Sequence, residues 1–286
     1  MRKVSASRVI QGAVELTGRL FSRLSNDELP LFIGSFNRNL REVWEKEFWP
    51  SIMAIEERYF RDLWEAGTYT ADAEVYHSAS GKYYKNTSGS STTGVPGTSA
   101  DWEELTDYIG FISFTQTGQT EIGQVYRVTN KDPRLNLNFN TVETSQKDDQ
   151  VVVCYPQETS YWVEFRKRAP LIKAEKYSSS TTYIVGDQVY YTSTSGQEGA
   201  DFWEASTGNS GTAPAGTSGN PWTKIDIPYI FGPYLEHAIA ADILLVDEKI
   251  ELAGIQMRER DRMLESEIKK VKNQSGDAFR PIFNTY

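Results

Sequence analysis

Paired carboxylates, imidazoles and thiols are where chemistry would start, and this sequence brings few of them together. Glu56-Glu57, Glu103-Glu104 and Asp148-Asp149 are adjacent in sequence. Neighbouring side chains point apart on a strand and diverge by about 100° on a helix, so these pairs read as solvated charges rather than as a general acid and base. The two histidines, His77 and His237, lie far apart, and neither stands in an H-E-x-x-H context. His237 follows Gly232-Pro233-Tyr234 and reads as a surface or packing residue. His77 follows Tyr76 and reads as a solvent-facing strand residue that could touch a ligand. The single cysteine, Cys154, lies in Val151-Val152-Val153-Cys154 and reads as a buried small apolar residue. One cysteine excludes an intramolecular disulfide and any multi-cysteine metal site. Gly-x-Ser-x-Gly and phosphate-loop patterns do not occur. The expectation is a non-enzyme with no catalytic residue, no metal ligand and no cofactor.

Bulk composition narrows the classes further. The 286 residues carry 39 acids against 30 bases, a formal charge of -9, which argues against general DNA affinity because phosphate binding needs basic side chains. Aromatic residues make up 13%, with 16 Tyr and 7 Trp, which is not the profile of a disordered chain. No run approaches the roughly 18 apolar residues of a membrane helix, and the N-terminus lacks a signal-peptide core, so no membrane partner is expected. The length suggests about two domain-sized units.

The elements that would hold these residues are helical at the ends and β in the middle. Val9, Ala13, Leu16, Leu20 and Leu24 form an apolar stripe at helical period. Ser25 and Glu28 make a capping-box signature for a second helix, continued by Phe32, Phe36, Leu40 and Val43 and stopped at Pro50. Ile55 to Trp64 reads as a short third helix. Ile250, Ala253, Met257, Leu264, Ile268 and Val271 share one face near the other end. From Pro233 to about Asn273 this makes either a single helix of roughly 60 Å or one broken at Gly254. Between the ends, Tyr108–Phe114, Ile122–Val128, Gln150–Cys154 and Tyr161–Arg166 read as strands.

Two segments flanking this β region repeat each other. Tyr69, Val75 and Tyr76 match Tyr183, Val189 and Tyr190 at an offset of 114, and Trp102 matches Trp222 at 120. A spacing this wide marks a duplicated insert rather than a solenoid. Val75, Tyr76 and Trp102, with Val189, Tyr190 and Trp222, are the expected cores of the two copies. The second copy, with Tyr183 … Gly186-Asp187-Gln188-Val189, an aromatic strand, Pro214 and the closing Trp222, resembles the small three-stranded carbohydrate-binding modules of chitinases and of many phage structural proteins. The resemblance covers about 40–50 residues per copy; the first copy departs from it with Asp72-Ala73 in place of Gly-Asp. It implies that exposed rings stack on sugar faces, and Tyr83, Tyr84, Tyr191 and Trp203 are the candidates for that stacking.

With the two copies set aside, about 190 residues remain in the order helices, β unit, helix. Phe36-Asn37-Arg38, Asp132-Pro133-Arg134, Tyr161-Trp162-Val163-Glu164-Phe165-Arg166 and Arg262-Met263-Leu264-Glu265 punctuate them. This framework resembles the head-to-tail adaptor (connector, neck) proteins of tailed bacteriophages. The resemblance implies a virion protein made in the host cytoplasm and placed at the head–tail interface. It further implies a twelve-fold ring, a portal protein above, a tail or nozzle protein below, and DNA passing through without sequence-specific binding. A glycan-binding adhesin or surface-decorating protein is the alternative. The aromatic tail, with Phe279, Arg280, Ile282, Phe283 and Tyr286, suits docking on the portal or a neighbouring subunit.

The expected fold class is α+β: a helical body with a long C-terminal helix, a central antiparallel β unit and two small all-β inserted modules. The expected division is an N-terminal helical part at 1–66, a first module at 67–106 and the central β unit at 107–174. A second module follows at 175–227, then the long helix at 228–275 and the docking tail at 276–286.

Overall fold

The structure, a computed structural model, describes residues 2–21, 24, 28–135, 138–173, 175–191 and 201–275. It combines helices with antiparallel sheets, so the chain is α+β. Residues 1–51 with 169–286 form one compact unit, and residues 52–168 form another.

In the first unit, α1 (Ala6–Leu16) and α2 (Glu28–Lys46) come early in the chain, and α3 (Gly232–Val246) and α4 (Ile250–Ser275) come late. The strand β1 (Lys3–Ser5) leads into α1, whose first turn is capped by the Ser5 hydroxyl accepting from the Arg8 amide. Ser25, half of the expected capping box, lies outside the described residues, and α2 begins at Glu28. Phe32, Phe36, Leu40 and Val43 are all buried, as their helical spacing requires. α3 is the central helix: Leu235, Ala238, Ile239, Ala241 and Leu244 are buried, and α1, α2 and α4 all pack on it. It is more apolar than the sequence reading allowed, since Tyr229–Val246 has the length and hydropathy of a membrane span, but most of it is buried within its own unit. Asp242 on α3 accepts from three α2 side chains, Ser35 Oγ at 2.6 Å, Asn39 Nδ2 at 2.7 Å and Arg38 Nη2 at 2.5 Å. That carboxylate fixes the rotation of α2 against α3.

The expected single late helix is instead a helical hairpin. It breaks at residues 247–249, not at Gly254, which stays inside α4. At the break the Lys249 amide donates to Leu244 O at 2.8 Å and the Glu248 amide to Leu245 O at 3.1 Å, with Glu248 left-handed at φ +61°. The end of α1 has the same bonding, Arg19 N to Val14 O and Gly18 N to Glu15 O, with Gly18 at φ +77°. One helix stops on the glycine such a cap prefers, the other on a glutamate.

In the second unit, the run expected to be a third helix is β2 (Met53–Tyr59). It is followed by β3 (Glu74–His77), β4 (Lys82–Asn86), β5 (Trp102–Glu104) and β6 (Phe111–Ser113). Then come β7 (Ile122–Thr129), β8 (Thr144–Lys147), β9 (Gln150–Val153) and β10 (Ser160–Lys167). Three antiparallel sheets result, in the orders β2-β10-β7, β3-β4-β5 and β6-β9-β8. Phe60, Ile112, Val128, Tyr161, Val163 and Phe165 anchor the core. Arg58 on β2 is fully buried, with its guanidinium over the Phe165 ring at 5.0 Å and bonded to Glu56 and Thr120 O.

The remaining strands return to the first unit: β11 (Thr182–Tyr183), β12 (Gln188–Tyr191), β13 (Asp201–Ala205), β14 (Asn209–Ser210), β15 (Trp222–Lys224) and β16 (Asp226–Pro228). β16 pairs with β1, and β12-β13-β15 form an antiparallel sheet. This sheet and β3-β4-β5 share more than strand order. Trp102 Nε1 donates to Gly94 O at 2.8 Å, and Trp222 Nε1 to Thr212 O at 2.7 Å. The Tyr69 ring meets Trp102 edge-on at 5.5 Å, and Tyr183 meets Trp222 at 5.0 Å. Tyr69 Oη closes a loop on the backbone of Glu65, and Tyr183 Oη does so on Ser178. Each segment also starts earlier than its sequence match suggested. Leu63 forms a parallel bridge to Tyr76, and Lys176 forms one to Tyr190. Trp64 therefore belongs to the first sheet rather than to a preceding helix.

The substitution of Asp72-Ala73 for Gly-Asp leaves the first turn intact. Ala73 N bonds Thr70 O as Asp187 N bonds Ile184 O, and Asp72 takes φ +62° where Gly186 takes φ +88°. Aspartate tolerates that region better than most side chains. Nothing lies within 4 Å of a Cβ built on Gly186, so only backbone conformation opposes a side chain there. Gly186→Ala is expected to cost about 1 kcal/mol in denaturant unfolding, and Asp72→Gly to gain up to about that amount.

Candidate functional site

Each repeat sheet has two buried faces, and that decides where the aromatic side chains go. Successive residues of a strand point to opposite faces. In the first copy, Val75, Tyr84 and Trp102 close a small core with Trp64 and Tyr69. Tyr76 and Tyr83, register partners on the other face, join Phe60 and Tyr161 in the core of the unit. In the second copy, Val189, Ala205, Tyr183 and Trp222 make the small core with Tyr177 and Trp203. Tyr190 and Phe202 pair on the opposite face at 5.0 Å between ring centroids.

This corrects two of the four stacking candidates. Tyr83 is 2% exposed and Tyr84 6%, so neither ring is open to a sugar. Tyr83 Oη accepts from the Phe60 amide at 3.1 Å and donates to Thr159 O, and burial pushes its phenol well above the usual tyrosine range. Tyr191 and Trp203 are half-buried. Of the expected core residues, Val75, Tyr76, Trp102, Val189, Tyr190 and Trp222 are all buried. Burial, then the nearby Asp201 charge, pushes the Tyr190 phenol up to about 12.

What remains accessible is an equivalent ring cluster on each copy. Trp64 meets His77 edge-on at 5.4 Å, and Tyr177 meets Tyr191 in the same way at 5.2 Å. Trp64 Nε1, Tyr177 Oη and Trp203 Nε1 are buried without a hydrogen-bond partner among the described residues. Such groups retain donor capacity for a ligand or an ordered water. Trp64 precedes the expected first module at 67–106, and Tyr177, inside the expected second module at 175–227, precedes the matched pattern that begins at Tyr183, so neither stands among the stacking candidates.

The groups with catalytic potential are dispersed. His77 Nδ1 lies 3.1 Å from Ser80 Oγ, and His237 Nδ1 lies 2.6 Å from Gln256 Oε1. Glu56 accepts from Arg58 and Thr120, whereas Glu57 accepts from Ser160, and Glu104 pairs with Lys82. Cys154 is half-buried rather than buried. No group of three or more metal-ligating side chains occurs among the described residues. The docking candidates Phe279, Arg280, Ile282, Phe283 and Tyr286 lie outside the described residues.

A second surface appears at the α3–α4 turn. Val246 is 69% exposed and Ile250 72%, and Leu245, Leu252, Ile255 and Leu20 are also exposed. Arg19 reaches this turn through Nη2, which donates to both carboxylate oxygens of Asp247 at 2.8 Å. The sequence carried the signal in Leu244-Leu245-Val246 running into Asp247-Glu248, but without glycine or proline the turn was not legible. Compared with known proteins, the chain matches no protein family and no curated sequence.

Proposed function

We propose that this chain is a structural subunit of a tailed-phage virion, assembling into a ring that joins portal to tail and leaves a passage for DNA. The observation that carries this reading is α4. It runs for 26 residues, yet only Ala253 and Leu264 are buried among its described side chains. A helix this long and this little covered by its own chain is built to meet other chains. The -9 charge suits a wall along which DNA slides rather than sticks. The two repeat sheets are read as small inserted modules, each fixed to its unit by one aromatic face.

The test is an image of the intact particle with the chain labelled. Density for this chain as a ring between portal and tail is the expected result. Its location elsewhere on the particle, or its absence from purified particles, would sink the proposal.

A second reading, glycan binding, draws on the half-exposed Tyr191 and Trp203 and on the unpartnered Trp203 Nε1 and Tyr177 Oη. It predicts a glycan-array signal that Trp203→Ala abolishes. A silent array for the unaltered chain removes it.

A further inference from the structure

The α3–α4 elbow and the far half of α4 are complementary surfaces that one chain cannot bring together. The elbow is apolar and acid-rimmed. Val246, Ile250, Leu252 and Ile255 are exposed; Asp247 is neutralised by Arg19 at 2.8 Å and Lys249 at 3.5 Å, which leaves Glu248 and Glu251 as the acids of the rim. Glu248 and Glu251 make no ion pair among the described residues. Glu248 also occupies a left-handed position that glycine fills at the end of α1. Strain retained at an exposed residue points to a use for its side chain, here a carboxylate aimed into solvent beside an apolar patch.

The far half of α4 has the opposite character. Residues 258–272 hold six bases against four acids, a positive stretch in a chain of net charge -9. Arg258, Arg262, Lys269 and Lys270 are exposed, beside the half-buried Met263 and Ile268; Lys269 lies 4.0 Å from Glu265 and Lys270 2.5 Å from Glu267 on the same helix, surface pairs that docking carboxylates would exchange with. Glu251 and Lys269 stand 18 residues apart on one continuous helix, about 27 Å along its axis, so they cannot pair within a chain.

We infer that the elbow of one copy docks on the far half of α4 of a second copy, with Glu248 and Glu251 meeting Lys269 and Lys270 around an apolar centre. Two different patches then meet head to tail, the arrangement that generates rings when its rotation closes. The inference deepens the ring reading and rests on it.

Carbodiimide cross-linking tests it, because the reagent joins a carboxylate to a lysine amine as an amide with loss of water. A mixture of 15N-labelled and unlabelled full-length chain at low salt should yield a mixed-isotope peptide linking Glu248 or Glu251 to Lys269 or Lys270. High salt should suppress it. The double variant Glu248→Gly with Glu251→Gln lacks the reacting carboxylates, so its effect is read by sedimentation velocity at low salt, where self-association of the full-length chain should weaken about tenfold or more. Because glycine relieves the left-handed position, its melting temperature should not fall. Reversed charges should then rescue association: Glu248→Lys with Glu251→Lys in one chain, mixed with Lys269→Glu and Lys270→Glu in another, links when neither chain does alone. No mixed-isotope link, or a link indifferent to these changes, overturns the contact. A ring imaged between portal and tail without such a link leaves the ring reading standing and removes only this interface. A link without any ring in the particle does the reverse.

Discussion

Trp49→Ala is expected to destabilise the helical unit by about 3–5 kcal/mol, the range for deleting a fully buried tryptophan. Trp49 has no exposed surface, meets Phe231 edge-on at 5.3 Å, and donates from Nε1 to Val43 O at 2.7 Å. Phe231 also meets Trp44 at 5.6 Å, so the alanine variant empties one side of a three-ring cluster at the entrance to α3. The loss has two parts, a cavity and an unpaired Val43 carbonyl. Trp49→Phe separates them, since it keeps much of the volume and should cost about 1–2 kcal/mol, chiefly the hydrogen bond. Denaturant unfolding followed by circular dichroism measures both. A loss below about 1 kcal/mol for the alanine variant would mean that α2 and α3 close over the space. Hydrogen exchange should show faster opening in α2 and α3, with protection in residues 52–168 unchanged.

Trp222→Ala should cost a similar amount, about 3–5 kcal/mol, but its effect should be confined to one sheet. Among the described residues the small core there has four buried members, Tyr183, Val189, Ala205 and Trp222, and the tryptophan is the largest. Losing it removes the ring that Tyr183 packs against and frees Thr212 O. A core this small has no second layer to take up the space. The Tyr190 amide bonded to Glu175 O and the Ala205 amide bonded to Asp187 O should lose exchange protection, while amides in the middle of α3 keep theirs. If α3 opened to the same extent, the sheet would be part of one cooperative core with the helices, and its treatment as a separate small module would be wrong.

The sequence was most informative where one physical signal acted alone. Helical spacing of Phe32, Phe36, Leu40 and Val43 could face only one core, and the tyrosine and tryptophan repeat could be aligned without knowing a partner. It failed where two environments met in one element. In β2 the fully buried Arg58 interrupts the apolar alternation, and two glutamates raise helix propensity, so pairing with β10 decides what local sequence does not. In β4, Tyr83 and Tyr84 point to opposite faces and both rings are covered, while Lys82 and Lys85 fall one on each face, so the polar pattern does not tell which ring faces outward. At the α3–α4 turn the left-handed residue is a glutamate, which carries none of the usual punctuation. The accessible ring pairs were half legible: Tyr191 stood out, but its partner Tyr177 precedes the matched pattern.

The bridges that open each repeat segment bear on how such a segment is gained or lost. Leu63 lies beside Tyr76, Tyr76 pairs with Tyr83, and the Leu105 amide bonds Tyr83 O. Lys176, Tyr190, Phe202 and the Ile225 amide repeat that line. Entry and exit are thus three strand spacings apart, about 14 Å. Some four or five extended residues cover that distance. The gap itself is short, yet each segment also lends its unit a buried aromatic face, Tyr76 with Tyr83 in one and Tyr190 with Phe202 in the other, so excising a segment would uncover the core it closes.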